Sequence, residues 1–324
     1  MLNAAIIGLG WWGQELVRAG RQSKLMRFSR GVTLEPDTIK DFADDMGFEL
    51  GTSYEEILAD PAIDAVVLAT PHSKHRSQVE AAAAAGKHVY CEKPFALKRE
   101  DAEAAIAACR RAGVALGIGH NRRFWPSIAR LKELIASGAL GTIMHAEGAY
   151  SHDWLANQPQ DHWRSAAAET RAGGMTGMGI HILDCFSYLV GPMQRVSALS
   201  TKRALPLESG DTTAAFLAFR DGATGTLSTT LKTAYIWRLT IYGSEAWAES
   251  AGETGIIVRR SGGEPEHIEL PQINHIGKNL DSFAAAALKQ GTYHIDDAGI
   301  LHTVAALEAV FKSVDADGAW MNVD

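Results

Sequence analysis

The stretch Ala4-Ala5-Ile6-Ile7-Gly8-Leu9-Gly10-Trp11-Trp12-Gly13 decides the fold. Four apolar residues read as a buried strand. Three glycines follow at the spacing Gly-x-Gly-x-x-Gly, and a segment of helical character begins at Gln14. In that order, strand, glycine turn and helix form a dinucleotide cradle. Gly8 permits a tight turn, Gly10 lets backbone approach a pyrophosphate, and Gly13 lets the helix come close to the strand. The helix start then offers N–H groups to the phosphates. The motif alone is weak; its position directly behind the first strand gives it weight. Trp11 and Trp12 are unusual bulk for such a turn. Either they cover the helix or a neighbouring loop, or Trp12 lines the nicotinamide side.

The same alternation continues downstream. A second strand should end near Val32-Thr33, twenty residues past Gly13. An acid there would bind the adenosine ribose and favour NAD. Thr33 stands in its place, with Glu35 two residues on, and Arg30 or Lys40 could hold a 2′-phosphate. The expected cofactor is NAD or NADP, with a lean to NADP. Residues 41–46 read as a helix. Ala65-Val66-Val67-Leu68-Ala69-Thr70 reads as a parallel strand buried on both faces. Pro71-His72-Ser73-Lys74-His75 follows its carboxyl end. His72 and His75 line the cofactor cleft or cap the helix at 77–85; no cysteine or carboxylate joins them at metal spacing, and no metal is expected.

Lys87 to Cys91 is the next strand, and it delivers Glu92-Lys93-Pro94. Doubly wound sheets bind ligands outside the carboxyl ends of their strands. Lys93 therefore stands where chemistry happens, with Pro94 stiffening the backbone behind it. Residues Thr70, Pro71, His72, His75, Glu92 and Lys93 are expected to hold the cofactor together with Gly8, Gly10, Trp11, Trp12, Gly13 and Thr33. A helix at 99–112 and a strand at 114–119 complete the pattern, ending at His120-Asn121-Arg122-Arg123-Phe124.

Beyond this point the texture changes. A helix at 126–137 is followed mainly by strands, at 142–150, 194–201, 212–220, 225–231, 237–242, 246–249, 255–259 and 267–270. Helices are expected at 180–190, 274–289 and 296–313. The expectation is a Rossmann α/β domain over 1–121 and an α+β domain over 122–324. The second is built on a large, mostly antiparallel, open-faced sheet, with the last helices packing back on the first domain. Within it, Trp163-Arg164 and Gly173-Gly174-Met175-Thr176-Gly177-Met178-Gly179-Ile180-His181-Ile182-Leu183-Asp184 stand out. An imidazole in the first turn of a helix can project into a cleft, and its ordinary pKa suits proton transfer.

The formal charge of −7 argues against a general affinity for nucleic acid or anionic membrane. Cys91, Cys109 and Cys185 are widely spaced in apolar surroundings, which points to reduced thiols in a cytoplasmic protein. Glycines interrupt the apolar N-terminus within ten residues, so it reads as a strand rather than a signal peptide. No 18-residue apolar span is present for a membrane helix.

Taken together, Gly8–Gly13, Glu92-Lys93-Pro94, Asn121-Arg122-Arg123-Phe124 and Gly173–Asp184 resemble, in order and over essentially the whole chain, the glucose–fructose oxidoreductase / inositol dehydrogenase / MocA (Gfo/Idh/MocA) family. The resemblance implies NAD(P)-dependent oxidation of a secondary alcohol of a sugar, cyclitol or diol, or the reverse reduction. It implies that Lys93 relays the hydroxyl proton with His181 as its partner. Asn121, Arg122, Trp163 and Arg164 would face substrate beside His181. It also implies a homodimer or homotetramer assembled through the open face of the second sheet. Rival readings are a glycosidase that uses NAD only transiently, and a non-catalytic dinucleotide sensor. One departure stands out: Gly177 occupies the position where the family pattern carries an acid. His152, Asp153, Asp161 or His162, from the polar excursion at 151–171, are the candidates to replace it.

Overall fold

A computed structural model describes residues 1–159 and 162–324. Asp161 therefore lies outside the described residues. The described residues divide into two compact units: 1–121 with 274–300, and 122–273 with 301–324.

The first unit opens with β1 (Leu2–Ile7), α1 (Trp11–Gly20), β2 (Met26–Val32), α2 (Pro36–Met46), β3 (Glu49–Gly51) and α3 (Tyr54–Ala59). It continues with β4 (Ala65–Leu68), α4 (His75–Ala84), β5 (His88–Cys91), α5 (Arg99–Ala112) and β6 (Leu116–Ile118). The strands form a parallel sheet in the order β3-β2-β1-β4-β5-β6. The order reverses at β1, so a crevice opens between the carboxyl ends of β1 and β4. Every residue of β4 is buried, which explains its unbroken apolar run. The sequence reading passed over β3 and α3: β3 is three residues long, lies at the sheet edge and carries an exposed Glu49.

The second unit contains α6 (Pro126–Ala136), β7 (Ile143–Ser151), α7 (Gly179–Leu189), β8 (Met193–Thr201), β9 (Thr212–Phe219) and β10 (Thr224–Thr230). It continues with β11 (Ile236–Gly243), β12 (Ala246–Ser250), β13 (Gly255–Arg260) and β14 (Glu266–Glu269). Then come α8 (His275–Ala287), which belongs to the first unit, α9 (Asp297–Asp315) and β15 (Met321–Asn322).

The second sheet runs β14-β13-β12-β11-β7-β10-β9-β8-β15. It is antiparallel except where β10 lies parallel to β7. One face packs on helix: Gly148 of β7 leaves room for Ile182 and Phe186 of α7. The other face shows large apolar side chains, among them Leu199 and Phe216.

Helix α8 completes the core of the first unit. Its Leu280, Phe283 and Ala284 join Leu2, Ile6, Val67 and Tyr90 in one buried cluster. Phe283 meets Tyr90 edge to face with ring centroids 5.7 Å apart. Asn279 donates to the Tyr90 hydroxyl and the Ile118 carbonyl, each at 2.9 Å. A buried amide is stable only with such partners.

Candidate active site

In the first unit, Gly8 has φ of +95°, and a Cβ there would sit 2.6 Å from the Ala69 carbonyl oxygen of the chain leaving β4. A Cβ on Gly13 would collide with the Gly8 carbonyl. Around Gly10 a Cβ would meet nothing within 4 Å. The turn is thus closed against the sheet at its two ends and open in its middle. Helix α1 begins there, and no side chain caps its N-terminus. An uncapped first turn offers N–H groups and the positive end of the helix dipole to an anion. These residues fit the pyrophosphate of NAD(P). Trp12 packs partly buried against the core and Trp11 is exposed.

Thr33 follows β2 directly, and its hydroxyl accepts from the Glu35 N–H at 3.3 Å. Arg30 stands across from Glu49 in the β2–β3 register and is ion-paired with it, with Asp60 at 3.8 Å. One of the two cations considered for a 2′-phosphate is therefore committed within the sheet. Lys40 is exposed on α2.

At the end of β4, His75 is fully buried. Its Nδ1 lies 2.8 Å from the Pro94 carbonyl and its Nε2 lies 3.1 Å from the Thr70 carbonyl. The imidazole thus ties the β4 exit to the loop that carries Lys93. His72 is buried beside it, with ring centroids 5.9 Å apart. The Lys93–Pro94 peptide is cis. Lys93 donates its backbone N–H to Glu92 Oε2 at 3.2 Å and is half-buried between buried neighbours. The Glu92 carboxylate fills the space over Gly119, where a Cβ would collide with it. Asn121 is buried at the end of β6.

The cysteines are removed from this chemistry. Burial, then the nearby Glu92 charge, pushes the Cys91 thiol well above its usual range. Burial pushes Cys109 up to about 12.

In the second unit the three arginines separate. Arg123 reaches Asp184 of α7 through Nε at 2.9 Å and Nη2 at 2.7 Å, and both side chains are buried. It is an internal ion pair. Arg122 lies over Trp125 at 4.2 Å, and its Nη2 approaches the Tyr150 hydroxyl at 3.5 Å. Arg164 lies over Trp163 at 4.0 Å and Trp154 at 5.6 Å. His181 occupies the first turn of α7, buried, with its ring 6.0 Å from Tyr150.

Tyr150 is the hub of this unit's aromatic cluster. Its ring centroid is 5.3 Å from Trp237 and 5.5 Å from His152, whose Nδ1 accepts the Trp154 N–H at 3.2 Å. A continuous path of contacts therefore runs from Arg164 through Trp154, His152 and Tyr150 to His181 and Arg122. The sequence reading missed Tyr150, Trp125 and Trp237. The available signal was position: Tyr150 is the last residue of β7 on the helix-packed face before the polar excursion begins.

Among the candidates for the missing acid, His162 Nδ1 accepts the Arg164 N–H at 3.2 Å, and Asp153 is exposed. Gly177 itself is exposed between buried neighbours, and a Cβ there would meet nothing within 4 Å. Among the described residues no three His, Cys, Asp or Glu side chains gather as a metal site.

Residues 2–120 match a family model described as an oxidoreductase family with an NAD-binding Rossmann fold. Residues 128–249 match the GFO/IDH/MocA C-terminal domain. The chain is 34% identical over 222 residues to levoglucosan dehydrogenase of Pseudarthrobacter phenanthrenivorans, covering 64% of this chain and 57% of that one. To myo-inositol 2-dehydrogenase of Thermotoga maritima it is 29% identical over 238 residues, covering 70% and 69%. Among solved structures, aldose-aldose oxidoreductase from Caulobacter crescentus superposes with a TM-score of 0.89 at 27% identity, over 99% of both chains. The alignments span about half the length of the first curated relatives matched. Both halves of the chain, in order, answer to the domains of one family, and the chain belongs to the Gfo/Idh/MocA family of NAD(P)-binding proteins.

Proposed function

We propose that this protein is an NAD(P)-dependent dehydrogenase acting on a secondary alcohol of a sugar, cyclitol or related diol, or on the corresponding ketone. The observation that carries the reading is the first unit's open glycine turn, together with a lysine at the carboxyl end of β5 whose loop backbone is held by His75 and Glu92. Bound NAD(P) supplies the hydride acceptor or donor. Lys93, as the neutral amine, takes the hydroxyl proton as the alcohol is oxidised and returns it in reduction. His181 is the imidazole that passes that proton on, and its ring is held by Tyr150. Trp163, Arg164, Arg122 and Asn121 orient the hydroxyl groups. The named relatives are dehydrogenases of sugars and cyclitols, so net redox turnover is favoured over glycoside cleavage.

Thr33 admits a 2′-phosphate, but Arg30 is engaged with Glu49, which weakens the case for NADP. Both cofactors are expected to bind. We assign the unpaired sheet face of the second unit to a homodimer contact. Among the described residues no helix is long and apolar enough to cross a membrane. A cytoplasmic site of action is proposed on the three buried, free cysteines.

The test is titration with NADH and NADPH by fluorescence, followed by a polyol screen that monitors reduced nicotinamide. Lys93→Met should lower turnover by at least about 100-fold, the share of a general acid–base group, with cofactor binding nearly unchanged. Turnover that survives the substitution removes Lys93 from the mechanism.

A further inference from the structure

Resting on the reading of His181 as a proton carrier, we propose that Thr213 is a positioning residue for that imidazole. Its hydroxyl fixes the unusual backbone of Ala172, from which the chain is built up to α7.

Ala172 has φ of +51° and ψ of +47°, the left-handed conformation. A residue with a Cβ avoids that region and stays in it only where its surroundings fix it. Thr213 Oγ1 donates to the Ala172 carbonyl at 2.9 Å, and the N–H of the next residue, Gly173, donates to the Ser209 carbonyl at 2.8 Å. From Ala172 a chain of backbone bonds leads to the imidazole. The Met175 N–H reaches the Ala172 carbonyl at 3.0 Å, the Met178 N–H reaches that of Gly174 at 2.8 Å, and the His181 N–H reaches that of Met178 at 3.0 Å. Thr176 closes the turn from within: its hydroxyl donates to the Arg171 carbonyl at 2.8 Å and accepts the Arg171 N–H at 3.1 Å. A segment so connected moves as a body, and a shift where it docks on β9 is carried to His181.

Thr213 stands in a row of hydroxyl residues. Ser200, Thr213 and Thr229 lie opposite one another on β8, β9 and β10. The row shares its face with Leu227, which stands opposite Gly148, so it looks toward α7. Thr213 and Thr229 are both fully buried. A buried hydroxyl is unfavourable unless it is bonded. Thr213 is bonded twice, to Ala172 and, at 2.8 Å, to the Ser200 hydroxyl. Thr229 borders the same segment, since a Cβ on Gly174 would come within 2.8 Å of its side chain. Yet Thr229 Oγ1 has no hydrogen-bond partner among the described residues. Two buried threonines facing each other thus differ in the bond to Ala172, and Thr229 is the matched control.

The test makes the same substitution at both positions. NADH affinity, kcat, KM and the His181 ring signal in NMR, assigned by its loss in His181→Gln, are compared at one pH. Thr213→Val should lower kcat by about tenfold or more, since displacing a reacting group by about 1 Å can cost about 100-fold. KM and NADH affinity should hardly change, and the ring signal should move. Thr213→Ser, which keeps the hydroxyl, should restore both kcat and the signal. Thr229→Val should match the unmodified protein in every readout. If Thr213→Val does not fold, Thr213→Ala carries the same expectation, because it removes the hydroxyl without setting a methyl group against the carbonyl. A Thr213→Val protein that melts earlier but keeps its kcat and ring signal overturns the inference, as does an equal response from Thr229→Val. Full turnover in His181→Gln overturns the proton-carrier reading itself and the inference with it, so the two failures are distinguishable.

Discussion

At the scale of the residue, His75 shows how a side chain can govern a site without presenting itself to it. His75 sets one nitrogen against the buried Pro94 carbonyl and the other against the Thr70 carbonyl, and a neutral imidazole donates through one of them. Removing the ring strands the carbonyl that accepts that N–H. His75→Leu should therefore cost roughly 1–3 kcal/mol in chemical denaturation, from one desolvated acceptor. Because Pro94 is covalently next to Lys93, turnover should fall too, and His75→Gln should restore part of both. Equal stability of the leucine variant would show that the ring is not an anchor. His88 offers a pH-dependent counterpart. Its Nδ1 accepts the Ala115 N–H at 2.9 Å, so the fold requires it neutral there. Burial lowers its pKa, with Asp64 opposing and Lys289 assisting. The unfolded chain takes up the proton first, near pH 6.5. Stability is thus fully retained above that pH and declines as pH falls toward the lower folded value. In paired melts, His88→Asn should flatten the slope below pH 6.5; an unchanged slope would place the acid sensitivity elsewhere. The three arginines make the matching point about legibility. Arg122, Arg123 and Arg164 were indistinguishable as anion binders in the sequence. Only the position of Asp184, 61 residues from Arg123, separates an internal pair from two aromatic-stacked cations.

At the scale of the element, what was legible follows from what each strand must bury. Strands β1, β4 and β5 are covered on both faces and leave continuous apolar runs, and the glycine turn behind β1 marks the cofactor end of the sheet. Strand β3 leaves no such run. It is a polar edge segment, and only its pairing with Arg30, Gly31 and Val32 makes it a strand. The parallel pairing of β10 with β7 was likewise hidden, because alternation tells which face is buried and not which neighbour is chosen. Tyr150 escaped for the same reason: its contact with Trp237 exists because β11 pairs with β7 in the register Trp237↔Tyr150. Helix α8 carries the test at this scale. Phe283 has no exposure, faces Tyr90, and lies where a Cβ on Gly117 would come within 2.8 Å of it. Phe283→Ala should lower the unfolding free energy by about 3–5 kcal/mol, the usual cost of emptying a buried phenylalanine site. Gly117→Ala should also destabilise, by crowding the same ring. If Phe283→Ala costs less than about 1 kcal/mol, α8 is not part of the first unit's core.

At the scale of the whole molecule, one face of the second sheet exposes large apolar side chains, and the register shows what that face presents. Leu199 stands opposite Ala214, and Phe216 stands opposite Ser197 and Thr226. Thr226 in turn stands opposite Glu147, so all these residues share one surface. Leu199 is 54% exposed and Phe216 62% exposed. At the centre Glu147 accepts from the Tyr242 hydroxyl at 3.0 Å and pairs with Arg238. Two large apolar side chains exposed on one surface, beside a polar group already satisfied within the sheet, suit an interface better than a solvated face. Nine strands about 4.8 Å apart and about six residues long offer roughly 800 Å², which is what one partner of a stable complex contributes. The occupant that matches such a surface without a second gene product is another copy, related by a two-fold axis. The protein should therefore run as a dimer or a multiple of one in light scattering at micromolar concentration. Phe216→Lys, which sets a charge into the apolar flank and touches no core residue, should shift it toward monomer while leaving the far-ultraviolet circular dichroism spectrum and cofactor affinity unchanged. A wild-type protein that scatters as a monomer across that range would return the sheet face to solvent and leave Leu199 and Phe216 without a role.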